Sequence, residues 1–271
     1  MMKRIFIVLA LVLITGALSA CGNDNAGSLP PLLQAQSPQE GDTVVTLHTN
    51  MGDIEILMFP AEAPMAYVNF VTHAINGFYD GVIFHRVIED FMIQGGDPDG
   101  TGFGGESIWG EGFGQEFSPY LWHFRGALAM AQSALPNSIR SQFYIVQSPM
   151  VGEMEQAEFA WAVESQDEFL GVNQQGQRMY VRDIFPANAA MHYLNYGGTP
   201  FLDISRNPNG HTVFGQVYRG MDVVDSIAAL DVDIYDRPFD TVTIESVSVT
   251  GTRLFEMDPD ELLAELQEGW Q

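Results

Sequence analysis

Apolar and polar residues alternate through Thr43–Thr49 and again through Asp53–Met58, on either side of Asn50-Met51-Gly52. This pattern predicts an antiparallel hairpin with a short glycine turn. Pro60 and Pro64 break the second strand, and Met65–Asn76 then spaces Val68, Val71, Thr72 and Ile75 as a helix does before Gly77 ends it. Beyond Gly81 the period returns to that of strands, in Val82–Val87, Phe91–Gln94, Gly126–Ala131 and Gln142–Gln147, with glycine-rich turns between them. Thr212–Val217, a short helical Met221–Leu230 and the alternating Thr241–Val249 complete the pattern. The expected fold is mainly β, one closed barrel with two helices.

Two stretches stand outside that pattern. Ser148–Thr199 interleaves Glu153, Glu155, Glu158 and Glu164 with Phe159, Trp161 and Val163, and is expected to be a partly helical insertion. Thr252–Gln271 carries Asp258 as an N-cap, Pro259 at the first helical position and Glu261 three residues after the cap, followed by Leu262, Leu263 and Leu266. These signals predict an acidic C-terminal helix. At the other end, Lys3 and Arg4 precede an apolar run from Ile5 to Ala20 that is shorter than a membrane span, so residues 1–20 are expected to be a secretory signal peptide. Residues 22–41, rich in Gly, Pro, Ser, Asn and Gln, are expected to form a flexible linker, with the folded domain over residues 42–251.

Charge narrows the function classes. The chain has 35 Asp and Glu against 11 Lys and Arg, a net −24, which excludes an electrostatic grip on nucleic acid. Removing residues 1–20 takes away Lys3, the only lysine, and leaves nine arginines against 35 acids, a net −26. There is 1 cysteine, Cys21, so no internal disulfide can form. It follows Leu18-Ser19-Ala20, which resembles the lipobox of bacterial lipoproteins. The resemblance implies a lipid on the Cys21 thiol and attachment to the extracytoplasmic face of a cell membrane.

Most chemical motifs fail on context. Gly100-Thr101-Gly102-Phe103-Gly104-Gly105 fits GxGxxG, but no βαβ unit surrounds it, so it reads as a turn. The histidines show no metal-ligand spacing, Asp97-Pro98-Asp99-Gly100 lacks the rest of a calcium loop, and no nucleophile elbow occurs. No cofactor or metal is expected.

The densest stretch is Phe84-His85-Arg86-Val87-Ile88-Glu89-Asp90-Phe91-Met92-Ile93-Gln94-Gly95-Gly96-Asp97. It resembles the signature of the cyclophilin-type peptidyl-prolyl isomerases. Gly126–Ala131, Ser141–Ile145, Gly197–Asp203 and His211–Gly215 extend the likeness in order. It implies an eight-stranded closed antiparallel β-barrel capped by two helices, and catalysis of X–Pro bond rotation. Arg86 matches the family's catalytic arginine and Gln94 the polar residue that holds it. Phe91, Met92, Phe143, Leu202 and His211 match the proline pocket, and Ala131, Gln132, Gln142 and Phe201 the adjoining substrate groove. Phe201 stands where many relatives have tryptophan, and Gln132, Leu135 and Arg140 depart from the usual loop. The implied partners are X–Pro-containing unfolded or exported polypeptides, met by a monomeric barrel. A barrel that binds proline segments without catalysis is the competing class.

Overall fold

The computed structural model describes residues 32–172, 176–203, 209–251 and 258–268. Residues 1–20, Cys21 and the linker up to residue 31 lie outside the described residues. Strands β1 (Val44–Thr49) and β2 (Gly52–Met58) form the expected hairpin, in register from Val44↔Leu57 to Thr49↔Gly52. Val45, Leu47, Ile54 and Ile56 are fully buried, as strict alternation requires when one face meets a core. Helix α1 (Pro64–Ile75) begins on a proline, which has no N–H to satisfy. Its next two amides, of Met65 and Ala66, donate to the Glu116 carboxylate at 2.9 and 2.8 Å. A distant acid thus does the work of a cap.

The chain continues through β3 (Arg86–Ile88), β4 (Met92–Gly95), β5 (Ala127–Met130) and β6 (Phe143–Val146). After the insertion come β9 (Val213–Arg219), α5 (Met221–Ala228) and β10 (Ile244–Thr250). The insertion itself holds α2 (Glu153–Glu164), the hairpin β7 (Phe169–Val172) and β8 (Arg178–Tyr180), α3 (Val181–Ile184) and α4 (Ala187–Tyr196). The main sheet has 8 strands in the order β10-β1-β2-β9-β5-β6-β4-β3, and all its pairs are antiparallel. It curls around α1, whose Phe70 lies 5.2 and 5.3 Å, ring centre to ring centre, from Phe143 and Phe214.

The expected closed barrel is corrected here: the ladder is open between β3 and β10. The predicted strand Val82–Val87 divides in two. Its first half runs beside the start of β10 without forming a ladder, through the isolated bridge Ile83↔Thr243 and bonds such as Ile244 N–H to the Val82 carbonyl at 2.8 Å and Phe84 N–H to the Val242 carbonyl at 3.0 Å. Its second half becomes β3, whose Val87 N–H goes to the Asp236 carbonyl at 2.7 Å, so a loop occupies the edge that a closing strand would need.

The linker prediction is corrected in its described part. Leu33–Ala35 is a 3₁₀ turn, and Gln34 is buried with its amide bonded to the Trp122 carbonyl and to Gln216, each at 2.9 Å. The chain is therefore docked on the domain from Leu32, where composition alone suggested a free tether. Helix α6 (Pro259–Glu268) starts at the predicted residue, with Asp258 Oδ1 accepting from the Asp260 N–H at 3.0 Å. It packs on α1 and buries Leu262.

Candidate active site

Ladder register decides which side chains share a face. Arg86 pairs with Gln94, Gln94 with Tyr144, and Tyr144 with Ala129, so these side chains project from the outer face of the curl. Met92 pairs with Val146 on the same face. Val87, Ile93, Ile145 and Leu128 alternate to the inner face and are buried in the core with Phe70 and Phe214. The outer residues Met92, Ala129, Tyr144 and Val146 join Phe91, Ala131 and Leu202 in a separate apolar cluster. Phe201 meets Phe91 at its rim, ring centres 5.8 Å apart.

Phe143 does not line this pocket. It is wholly buried on the inner face, edge-on to Phe70, Tyr79 and Phe84 at 5.2, 5.6 and 6.2 Å. Its neighbour Tyr144 takes the place assigned to it, with its ring 5.5 Å from His211. The signal for this was present in the strand period, because Tyr144 and not Phe143 stands an even number of residues from Gln142.

The polar residues are held by one another. Gln94 donates to Gln142 Oε1 at 2.9 Å, and Gln142 donates to the carbonyls of Gly102 and Gly104 at 3.1 and 2.9 Å. The expectation that Gln94 holds Arg86 is corrected: Arg86 Nε instead donates to Asp236 Oδ2 at 3.3 Å. Both partners are 41% exposed, which makes this a weak, solvent-screened pair that steers the guanidinium more than it fixes it. Asp236 was missed because it lies 150 residues away in a loop with no motif.

The GxGxxG turn wraps a carboxylate. Asp97 accepts the N–H groups of Asp99, Thr101, Gly102 and Gly104. Burial disfavours its charge, but these donors outweigh that cost and hold its carboxyl below the usual aspartate range. A Cβ on Gly104 would fall 2.2 Å from Asp97 Oδ1, so a side chain there would displace the bound carboxylate. Gly96, at φ +87°, likewise passes 2.5 Å from the Ser141 carbonyl at its would-be Cβ. The turn, Gln94, Gln142, Ala131 and Gln132 line a cleft of about 360 Å³, closed on its far side by the loop Ser133–Arg140. Gln132 is fixed by Gln115 at 2.8 Å and by its own bond to the Asn209 carbonyl at 2.8 Å.

Behind the pocket lies a buried polar cluster. Asp203 accepts both the N–H and the Nδ1 of His123, at 2.9 and 2.8 Å, and the Tyr193 hydroxyl at 2.5 Å. His123 lies 6.3 Å from both Tyr144 and His211, ring centre to ring centre. His211 Nδ1 is 3.2 Å from the Met130 carbonyl, which can only accept, so the ring donates there. Burial, with His123 nearby, pushes the His211 imidazole down to about 4, so it is neutral at physiological pH. Leu202, Phe201 and Asp203 sit on or beside one 3₁₀ turn, Pro200–Leu202, and Tyr193 comes from α4 of the insertion. The insertion thereby braces a wall of the pocket.

Comparison with known proteins bears on the family and the fold. Residues 44–249 match the profile described as "Cyclophilin type peptidyl-prolyl cis-trans isomerase/CLD". A protein of Staphylococcus haemolyticus named "Putative peptidyl-prolyl cis-trans isomerase" is 44% identical over 211 residues, covering 78% of this chain and 93% of its own length. A Staphylococcus aureus protein of the same name is 42% identical over 214 residues, with the same coverage. A solved Cryptosporidium parvum cyclophilin-type isomerase superposes with a TM-score of 0.55 at 27% identity, covering 78% of this chain and 99% of that one. A second structure of that protein, in the presence of the dipeptide Ala-Pro, matches equally well, with a TM-score of 0.55. This chain belongs to the cyclophilin-type peptidyl-prolyl cis-trans isomerase family.

Proposed function

We propose that Arg86 drives rotation of X–Pro bonds in exported polypeptides while the proline ring sits among Phe91, Met92, Tyr144, Leu202 and His211. The observation that carries this reading is the register placing Arg86 on the same sheet face as Gln94, Met92 and Tyr144. An amide resists twisting by ~18–20 kcal/mol because the nitrogen lone pair is delocalised. A guanidinium that hydrogen-bonds the prolyl nitrogen as it becomes pyramidal stabilises only the twisted state, and so lowers the barrier. Reaching milliseconds from tens of seconds needs ~10⁴-fold, about 5.5 kcal/mol. A charge-assisted hydrogen bond supplies about 1.5–3 kcal/mol in ordinary surroundings. The remainder comes from the apolar pocket, which removes water from that bond and holds the ring while the preceding carbonyl turns. Asp236, on Nε, leaves the terminal nitrogens of Arg86 for substrate.

The test is turnover of an Ala-Pro tetrapeptide by the full chain and by Arg86→Ala and Arg86→Lys. Arg86→Ala should lose about 100-fold or more in kcat/KM, and Arg86→Lys nearly as much because an ammonium lacks the fixed fork. Equal rates for all three would overturn the mechanism.

The same proposal places the domain outside the cytoplasm, held by a lipid on Cys21 after removal of residues 1–20. Its support is the charge, apolar run and small-residue pattern ending at Cys21. A labelled fatty acid should enter the wild type and not Cys21→Ser; label persisting on the variant would refute the anchor.

A further inference from the structure

The loop between α5 and β10 is a small, well-bonded hairpin. Asp233 N–H reaches the Arg237 carbonyl at 2.8 Å, Phe239 N–H reaches the Asp231 carbonyl at 3.0 Å, and Val232 bridges Pro238. It is fastened to the catalytic strand by the Asp236 carbonyl, which takes the Val87 N–H at 2.7 Å, and by the Asp236 carboxylate on Arg86. Arg237 ties its other side to the Gly100 carbonyl. On this fixed platform three large apolar side chains stand in solvent: Ile234 at 89%, Tyr235 at 76% and Phe239 at 71% exposure. Loop tips in folded proteins ordinarily carry small or polar residues, and a cluster of exposed apolar ones marks a contact surface.

We propose that this hairpin is a docking surface for the part of the substrate polypeptide flanking the X–Pro bond whose proline lies in the pocket. The inference rests on the isomerase reading above and extends it to substrate class. Two observations commit it to that occupant. The hairpin is continuous with the site, since Asp236 touches Arg86 itself, so a chain leaving the pocket past Arg86 runs beside the hairpin that carries Ile234, Tyr235 and Phe239. Its charge is also selective: Asp231, Asp233, Asp236 and Asp240 outnumber Arg237, whose guanidinium is turned to the Gly100 carbonyl, on a chain of net −24. The segment that fits is apolar and neutral or basic, as in an unfolded chain presenting core residues, and an acidic segment is repelled.

The experiment compares the full chain with the triple variant Ile234→Ser, Tyr235→Ser, Phe239→Ser on two substrates. One is an Ala-Pro tetrapeptide, too short to reach the hairpin. The other is an unfolded protein whose refolding is limited by prolyl isomerisation. The variant should keep the tetrapeptide kcat/KM within about twofold and lose about fivefold or more in acceleration of refolding. Full acceleration of refolding by the variant, or an equal loss on both substrates, overturns the docking surface. A wild type inactive on the tetrapeptide would instead show that the isomerase reading itself has failed.

Discussion

Phe143 and Tyr144 are adjacent in sequence, yet β6 sends one into the core and the other into the pocket, and a substitution at each should be read by a different instrument. Phe143→Leu removes the edge-on contacts to Phe70, Tyr79 and Phe84, so it should lower stability by about 1–3 kcal/mol with little change in turnover by the folded enzyme. Tyr144→Leu strips the aromatic floor beside His211 and should cost about tenfold or more in kcat/KM on a tetrapeptide. Denaturant melts and tetrapeptide kinetics on both variants decide it, and the opposite pattern would return Phe143 to the pocket. At this scale Arg86 and Gln94 were legible through their match to the family signature, and the ladder pairs them directly. The sequence was misleading where two aromatics in succession fit the same site, because only the strand's face, and not the residue type, separates them. Asp236 and Asp203 were not legible as site residues at all, since an aspartate in a loop carries no sign of a partner 80 or 150 residues away.

Elements fared according to how local their causes are. The β1–β2 hairpin, α1, α5 and α6 each carry their own period and stop signals, and each stands within a few residues of its predicted bounds. The open seam was invisible, because it depends on a loop carbonyl, that of Asp236, reaching Val87 before a strand can. Gln34 shows the same limit from the other side. A glutamine among Leu, Ala and Pro looks like linker, and it became structure only by bonding Trp122 and Gln216 across the fold. The insertion was visible as an interruption, but its attachment was not. Phe159 stacks on Tyr193 at 5.0 Å, and together with Val181, Phe185 and Ala190 they form a second core against Trp122 and Phe124. That core delivers the Tyr193 hydroxyl to Asp203, so the segment between β6 and β9 also supports the turn carrying Leu202.

For the whole molecule, acid acts through its histidines before it reaches most of its many carboxylates. Burial lowers the His73, His85, His192 and His211 imidazoles, the last to about 4, so the fold keeps them neutral where the unfolded chain would protonate them near 6.5. A depressed histidine gives its full stabilisation above the unfolded value, and loses it as pH falls from about 6.5 toward the folded one. His211 alone accounts for roughly 3 kcal/mol across that interval, at 1.36 kcal/mol per unit. Protonation of surface acids works the other way, by relieving repulsion in a chain of net −24. High salt screens that repulsion, leaving the buried groups to set the slope. Thermal melts in high salt should therefore show a Tm several degrees lower at pH 5 than at pH 7. His211→Phe, which keeps a ring in the pocket and removes the titrating group, should flatten that slope by up to about one proton. A Tm unchanged or higher at pH 5, or a slope that His211→Phe leaves intact, would mean that the imidazole beside Met130 and Tyr144 is not held neutral by the fold.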